Sequence, residues 1–285
     1  MGTSIESTAI QKCQSFNRPG FETRHEMDEI AIEEPLEIRL THFTRERGRH
    51  QQNRHRVAVT MRTPGNDLEL AAGYLYSESI LKAPYEILSF QLGENLIELA
   101  LSPHCRIDLK RVQRQSYISS SCGVCGKTSI EEVSELAHHC DRSAPGSYPF
   151  IPADLISELP TLLRDAQDGF ARTGGLHASA LFDERGNLIL AREDVGRHNA
   201  LDKVIGRAFL DGLLPLDRSI LVLSGRVSFE LMQKAAMAGI RVIVAVGAPS
   251  SLAVQLAKEF DLTLIGFVRN QRFNIYHGEW RITHL

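Results

Sequence analysis

The chain has 285 residues, 43% hydrophobic and 24% charged, with 32 Lys and Arg against 35 Asp and Glu. This is the balance of a globular protein with room for about two domains, and it excludes a disordered, collagen-like or coiled-coil chain. A formal net charge of −3 selects no polyanionic partner such as nucleic acid, so an anion site has to come from local clustering.

Residues 1–27 are polar, lack an apolar signal-peptide core and read as a flexible tail. No stretch reaches the ~18 uninterrupted apolar residues of a membrane span. The expectation is a cytoplasmic protein with no membrane contact. From 28 to 40 the apolar residues Ile30, Ile32, Leu36, Ile38 and Leu40 fall on even positions, which predicts one half-buried strand broken at Pro35. Val57, Val59 and Met61 repeat the alternation. Residues 63–66 form a turn, and Asp67 is placed to cap a helix carrying Leu68, Ala71, Ala72 and Leu75. Residues 87–92 and 96–101 read as a hairpin around Gly93, Glu94 and Asn95. Residues 28–115 therefore form an N-terminal α+β domain. Within it Arg45, Arg47, Arg49, Arg54, Arg56 and Arg62 make a local reservoir of positive charge.

Residues 116–152 hold a Cys-x-x-Cys loop, a helix capped by Thr128 with Glu131 three residues on, and a linker rich in Pro, Gly and Ser. Residues 153–285 differ in style. Apolar runs at 176–182, 188–191, 220–223, 242–246 and 262–268 predict strands, and 154–170 (kinked or split at Pro160), 196–210, 228–238 and 250–260 predict helices. Strands apolar on both faces alternating with helices predict a largely parallel, helix-covered sheet, opened by an antiparallel hairpin around residues 184–187.

Cys122 and Cys125 are the sharpest chemical feature. Glycines flank both thiols, and a following helix N-terminus and Lys127 favour the reactive thiolate. Several readings stand side by side: a zinc site completed by His138, His139 or Cys140, a thioredoxin-type dithiol, a sulfur-carrying thiol on a basic loop, and an inert turn. The His-His-Cys ending lacks the second-pair spacing of a zinc site, and the serine-rich approach is not the strand a thioredoxin motif follows. No metal ligand is assigned.

Three further groups point to an anion or nucleotide site. His177 follows Gly174 and Gly175 on a strand. Asp194, read as an N-cap, stands with Arg197 and His198 at the start of a helix whose core face is Leu201, Val204, Ile205 and Ala208. Ser224 and Arg226 lie between an apolar strand and a helix, where open α/β sheets bind ligands. Phe267, Val268, Arg269, Asn270, Gln271 and Arg272 put two arginines on a strand-end turn beside aromatic residues, suited to a phosphate and a stacked base, or simply a solvated tip.

Together the segments 121–126, 174–178, 193–203 and 266–276 resemble the FdhD/NarQ family, sulfur-carrier accessory proteins of formate dehydrogenase, from about residue 28 onward. The resemblance implies that Cys122 carries a persulfide received from a cysteine desulfurase and that Cys125 assists. It implies that the sulfur passes to the molybdenum (or tungsten) bis(molybdopterin guanine dinucleotide) cofactor before insertion into formate dehydrogenase. It places residues 267–272 on the family's cofactor segment, where a guanine nucleotide such as GDP also fits, and it implies a homodimer. It implies a C-terminal cytidine-deaminase-like three-layer α/β/α domain with a mixed sheet, α/β within an α+β whole. Asn270 and Gln271 depart from the Pro-Gly or Asp-Gly frequent at this turn in relatives. Zinc-deaminase chemistry is excluded, because His177-Ala178-Ser179 lacks the required Glu and the Cys-x-x-Cys lies upstream. Two other functions compete with sulfur transfer: a dithiol oxidoreductase, and a cofactor-binding chaperone whose thiols are incidental.

Overall fold

Apolar alternation and helical stripes in this chain assemble around two separate sheets. The computed structural model describes residues 4–15, 21–46, 49–103, 105 and 150–284. Residues 122 and 125, and the helix expected after them, lie outside these.

The polar segment expected as a tail is an antiparallel hairpin, β1 (Ile5–Ser15) and β2 (Phe21–Ala31), in register from Ile5–Ala31 to Ser15–Phe21. Its side chains are mostly exposed, so backbone pairing rather than a buried face holds it, and hydropathy carries no sign of it. Glu29 near its base forms an ion pair with Arg172. The single strand expected over 28–40 is two, because β2 ends at Ala31 and β3 (Glu34–Glu46) starts afresh. Pro35 lies inside β3, where β4 (Arg49–Arg62) is its one neighbour. The other neighbour, β6 (Leu96–Leu101), joins only from Glu37, so the missing N–H of Pro35 leaves that ladder intact. With β5 (Ile87–Gly93) the sheet runs β4-β3-β6-β5.

Helix α1 (Asp67–Ser77) covers this sheet, setting Leu70, Ala71 and Leu75 against Leu36, Ile38, Leu40, Ile97 and Leu99. Asp67 does not cap it. Asn66 takes the cap position in the left-handed region, and Asp67 pairs with Arg62 at 2.9 Å. The expected reservoir of positive charge is compensated where its side chains are described. Arg54 meets Glu98 at 3.0 Å, Arg56 meets Glu37 at 3.9 Å, and Arg62 also meets Glu34.

The second sheet has six strands in the order β13-β12-β11-β10-β8-β9. They are β8 (His177–Phe182), β9 (Leu188–Asp194), β10 (Ile220–Leu223), β11 (Val242–Ala245), β12 (Thr263–Arg269) and β13 (Arg272–His277). Only β10/β11 and β11/β12 pair in parallel, while β8/β10, β8/β9 and β12/β13 are antiparallel. The sheet is therefore mixed rather than largely parallel, because a hairpin flanks the parallel strands on each side. Helices α4 (Arg197–Leu210), α5 (Phe229–Met237) and α6 (Ser251–Glu259) cover one face, and α2 (Ala153–Asp165) covers the other, giving three layers. Short strands β7 (Ile151–Pro152) and β14 (Ile282–Thr283) pair beside it. Pro160 does not split α2; the helix runs through it, and the break falls at residues 166–167, before α3 (Asp168–Thr173).

The two units meet backbone to backbone. A Cβ on Gly73 of α1 would stand 1.9 Å from the Asp202 carbonyl oxygen, and one on Gly206 of α4 would stand 1.8 Å from that of Glu69. Only glycine at both positions permits this crossing. Ion pairs surround it: Lys234 to Asp202 at 2.7 Å and Lys203 to Asp194 at 2.7 Å, all four side chains buried.

Candidate functional site at the sheet edge

Topology brings the separate sequence signals to one edge of the six-stranded sheet. β8 runs against β10, so His177 at its start lies beside Ser224 just past the end of β10, and Asp194 closes β9 opposite His177. β11 and β12 end on the same side as β10. This is the carboxyl edge of the parallel strands, where strand direction switches and ligands lodge in α/β sheets.

Two glycines let the strand ends close up. The Gly247 N–H donates to the Gly225 carbonyl at 3.1 Å, and a Cβ on Gly247 would stand 2.7 Å from that oxygen. Ser224 Oγ accepts the Ala178 N–H at 2.8 Å, tying β8 to the loop after β10. Beyond Gly266 the strand carries an extra residue relative to β13, and Phe267 adopts a φ of 56°. Asn270 and Gln271 form a two-residue turn with φ of 51° and 56°, as right-handed strand twist favours in tight hairpins.

The charges here are unlike those elsewhere. Among the described residues, Arg39, Arg54, Arg62, Arg172, Arg192, Arg207, Arg218 and Arg281 each meet a carboxylate within 4 Å. Arg164, Arg197, Arg226, Arg269 and Arg272, around this edge, meet none among the described residues, and Arg197 Nε is buried without a hydrogen-bond partner among them. Burial, and then the positive charge of Arg197, holds the His177 imidazole below its ordinary pKa. The same two causes, with Lys234 and His177 adding to them, bring His198 down to about 3. Both rings are neutral at pH 7, so fixed guanidinium charge supplies the positive potential.

A cleft of about 590 Å³ opens between α2 and this edge. Of the residues expected to bind a cofactor, His177, Ser224, Val268, Arg269 and Asn270 line it. Arg197, Arg226, Phe267, Gln271 and Arg272 share the edge but lie outside the cleft wall. His198 turns to the other helical layer, its Nε2 3.1 Å from Ser228 Oγ. Asp194 is not the N-cap, which is Gly196, and it does not line the cleft. It is fully buried, and its carboxylate accepts from the N–H groups of Thr63 and Gly196 and from Asn199 Nδ2, and pairs with Lys203. It anchors the start of α4 to the N-terminal unit.

Sequence reasoning missed the opposite wall. Arg164 and Phe170 line the cleft, the guanidinium 4.0 Å over the ring, with Gln167 between them and Leu163 behind. In sequence this stretch reads only as an amphipathic helix; its sole signal is the Gln-Asp-Gly interruption at 167–169.

Known proteins match this chain over most of its length. The FdhD/NarQ family model matches residues 33–283. A Streptomyces avermitilis protein named sulfur carrier protein FdhD is 46% identical over 265 residues, covering 90% of this chain and 89% of that protein. A Mycobacterium tuberculosis protein of the same name is 43% identical over 291 residues, covering 97% and 99%. The crystal structure of a candidate formate dehydrogenase accessory protein from Desulfotalea psychrophila superposes with a TM-score of 0.67 at 25% identity, covering 96% of this chain and 99% of that one.

Proposed function

The chain belongs to the FdhD/NarQ family, and from that premise we propose that it is a sulfur carrier in formate dehydrogenase maturation, acting as a sulfurtransferase in the cytoplasm. Its thiol is Cys122 and its client is the molybdenum bis(molybdopterin guanine dinucleotide) cofactor. The observation that carries the client half is the cleft at the sheet edge, with Arg164 and Arg269 in its wall and Arg197, Arg226 and Arg272 on the same edge, none of them paired with a carboxylate among the described residues. Such groups pair bidentately with phosphate oxygens, and a dinucleotide cofactor presents several. Elsewhere among the described residues most arginines are spent on internal ion pairs, so this potential is available to something outside the fold.

The chemistry is thiol exchange. The Cys122 thiolate attacks the terminal sulfur of a persulfide on a cysteine desulfurase; the S–S bond of the donor breaks, its cysteine leaves as thiolate, and Cys122 keeps the sulfur. In the second step Cys125 attacks the inner sulfur of the Cys122 persulfide. The outer sulfur departs as sulfide to the client metal, replacing an oxygen-type ligand that takes up protons and leaves as water, and a Cys122–Cys125 disulfide remains for a cellular thiol to reduce. The edge arginines hold the phosphates of the client meanwhile. A homodimer fits the family, and GDP is the simplest probe of the nucleotide end.

Mass spectrometry after incubation with a cysteine desulfurase and cysteine tests the carrier step. We expect a one-sulfur gain on the wild type that vanishes in Cys122→Ala. Absence of the gain on the wild type overturns sulfur transfer. Insulin-type disulfide reduction without a desulfurase would favour the dithiol oxidoreductase instead. Full formate dehydrogenase activity in cells carrying Cys122→Ala would favour a chaperone with incidental thiols.

A further inference from the structure

One largely buried polar side chain in the cleft has no hydrogen-bond partner among the described residues. Gln167 joins α2 to α3 and is 4% exposed. Its backbone is committed at both ends, the N–H donating to the Arg164 carbonyl at 3.1 Å and the carbonyl accepting from Ala171 at 2.9 Å. Its side-chain amide lines the cleft and makes no hydrogen bond among the described residues. The amide is not sealed from solvent, so the little surface that Gln167 keeps opens its hydrogen-bonding groups to the cleft, where a ligand can take the place of water.

We infer that Gln167 reads the edge of a planar heteroaromatic ring, and is a specificity-determining residue for the client of the same cleft. The inference rests on the proposed client and deepens it. A carboxamide offers one acceptor and one donor side by side. That pattern is the complement of a cyclic –NH–C(=O)– edge: Oε1 accepts from the ring N–H, and Nε2 donates to the exocyclic oxygen. The 2-amino-4-oxopyrimidine ring carries this edge, and guanine and a pterin share it.

The surroundings suit such a ring. Leu163, Leu176 and Val268 are buried apolar walls. The Arg164 guanidinium, 4.0 Å over Phe170, is a flat cationic surface of the kind that stacks on π systems. Arg269 and Asn270 are exposed at the mouth, whereas Gln167 lies at the floor. A nucleotide therefore enters ring first, with its phosphates left among the rim arginines. The cleft volume is within the range of small-molecule sites.

Isothermal titration calorimetry with GDP, pterin-6-carboxylate and inorganic pyrophosphate tests this on the full chain. Gln167→Leu is expected to weaken GDP about tenfold, or about 1.4 kcal/mol, in the range of one bidentate base contact, and to leave pyrophosphate unchanged. Gln167→Glu is the folding control. Its carboxylate accepts from the ring N–H and the 2-amino group, so it keeps GDP but loses inosine diphosphate, which lacks that amino group. A loss confined to pterin-6-carboxylate would mean that the pterin, rather than the guanine, is the ring read. Gln167→Leu that changes neither ring ligand, or that weakens pyrophosphate equally, overturns the inference: water, or the fold alone, then satisfies the amide. If the wild type binds neither GDP nor pyrophosphate, the client assignment fails first and the inference falls with it.

Discussion

The junction between the two units and the edge of the six-stranded sheet treat charge in opposite ways. At the junction, Asp202 meets Lys234 and Asp194 meets Lys203, each pair buried and hydrogen-bonded. At the edge, five arginines meet no carboxylate among the described residues. A paired buried charge serves geometry, since losing either member leaves the other stranded in a medium of low polarity. An unpaired surface charge serves a visitor, because its energy is realised only on binding. α4 belongs to both regions: its start carries Arg197 and His198, and its middle carries Asp202, Lys203 and the Gly206 crossing.

The contrast is sharpest at Lys234. Lys234→Met strands the Asp202 carboxylate and is expected to cost about 3–5 kcal/mol in urea unfolding. Adding Asp202→Leu should recover most of that loss. Gly206→Ala forces a methyl onto the Glu69 carbonyl, and a loss of about 3 kcal/mol is expected by the same measurement. Arg269→Ala, by contrast, should leave stability within about 0.5 kcal/mol and weaken GDP about tenfold, less so at high salt. A stability loss at Arg269 as large as that at Lys234 would erase the distinction between the two regions.

The smallest effect is with pH. Burial keeps His198 neutral down to about 3, whereas an ordinary histidine takes its proton near 6.5. Below 6.5 the unfolded chain binds a proton that the folded chain refuses. The contribution to stability is therefore complete above that pH and declines as pH falls, by at most about 1.4 kcal/mol per pH unit for this residue. His177 shifts in the same direction. Urea midpoints at pH 7 and pH 5.5 should differ more in the wild type than in His198→Gln.

Much of this was legible in the residues. Strands β8 to β12 stand out because both faces are apolar, and the helices between them have clean stripes, so their ends fall within a few residues of expectation. The hairpin β1/β2 was not legible, because its side chains face solvent and strand pairing leaves no trace in hydropathy. Asp194 was misread because an acid before a helix looks like a cap; its partners Thr63 and Lys203 come from another unit and from the middle of the helix. Arg164, Gln167 and Phe170 were missed because a cleft wall is made by what stands opposite it. Cys122 and Cys125, the strongest chemical signal in the sequence, lie outside the described residues.

The extra residue in β12 settles which side chains the cleft receives. Ile265 faces the α2 layer, and strict alternation would send Phe267 and Arg269 the same way; instead Val268 faces that layer, and its two neighbours turn to solvent. The bulge, by shifting the alternation by one position, is what lets Val268 and not its neighbours pack against α2. A regular strand of the same length would turn Phe267 and Arg269 toward α2 and Val268 outward, putting a guanidinium where a valine now packs with every motif residue kept.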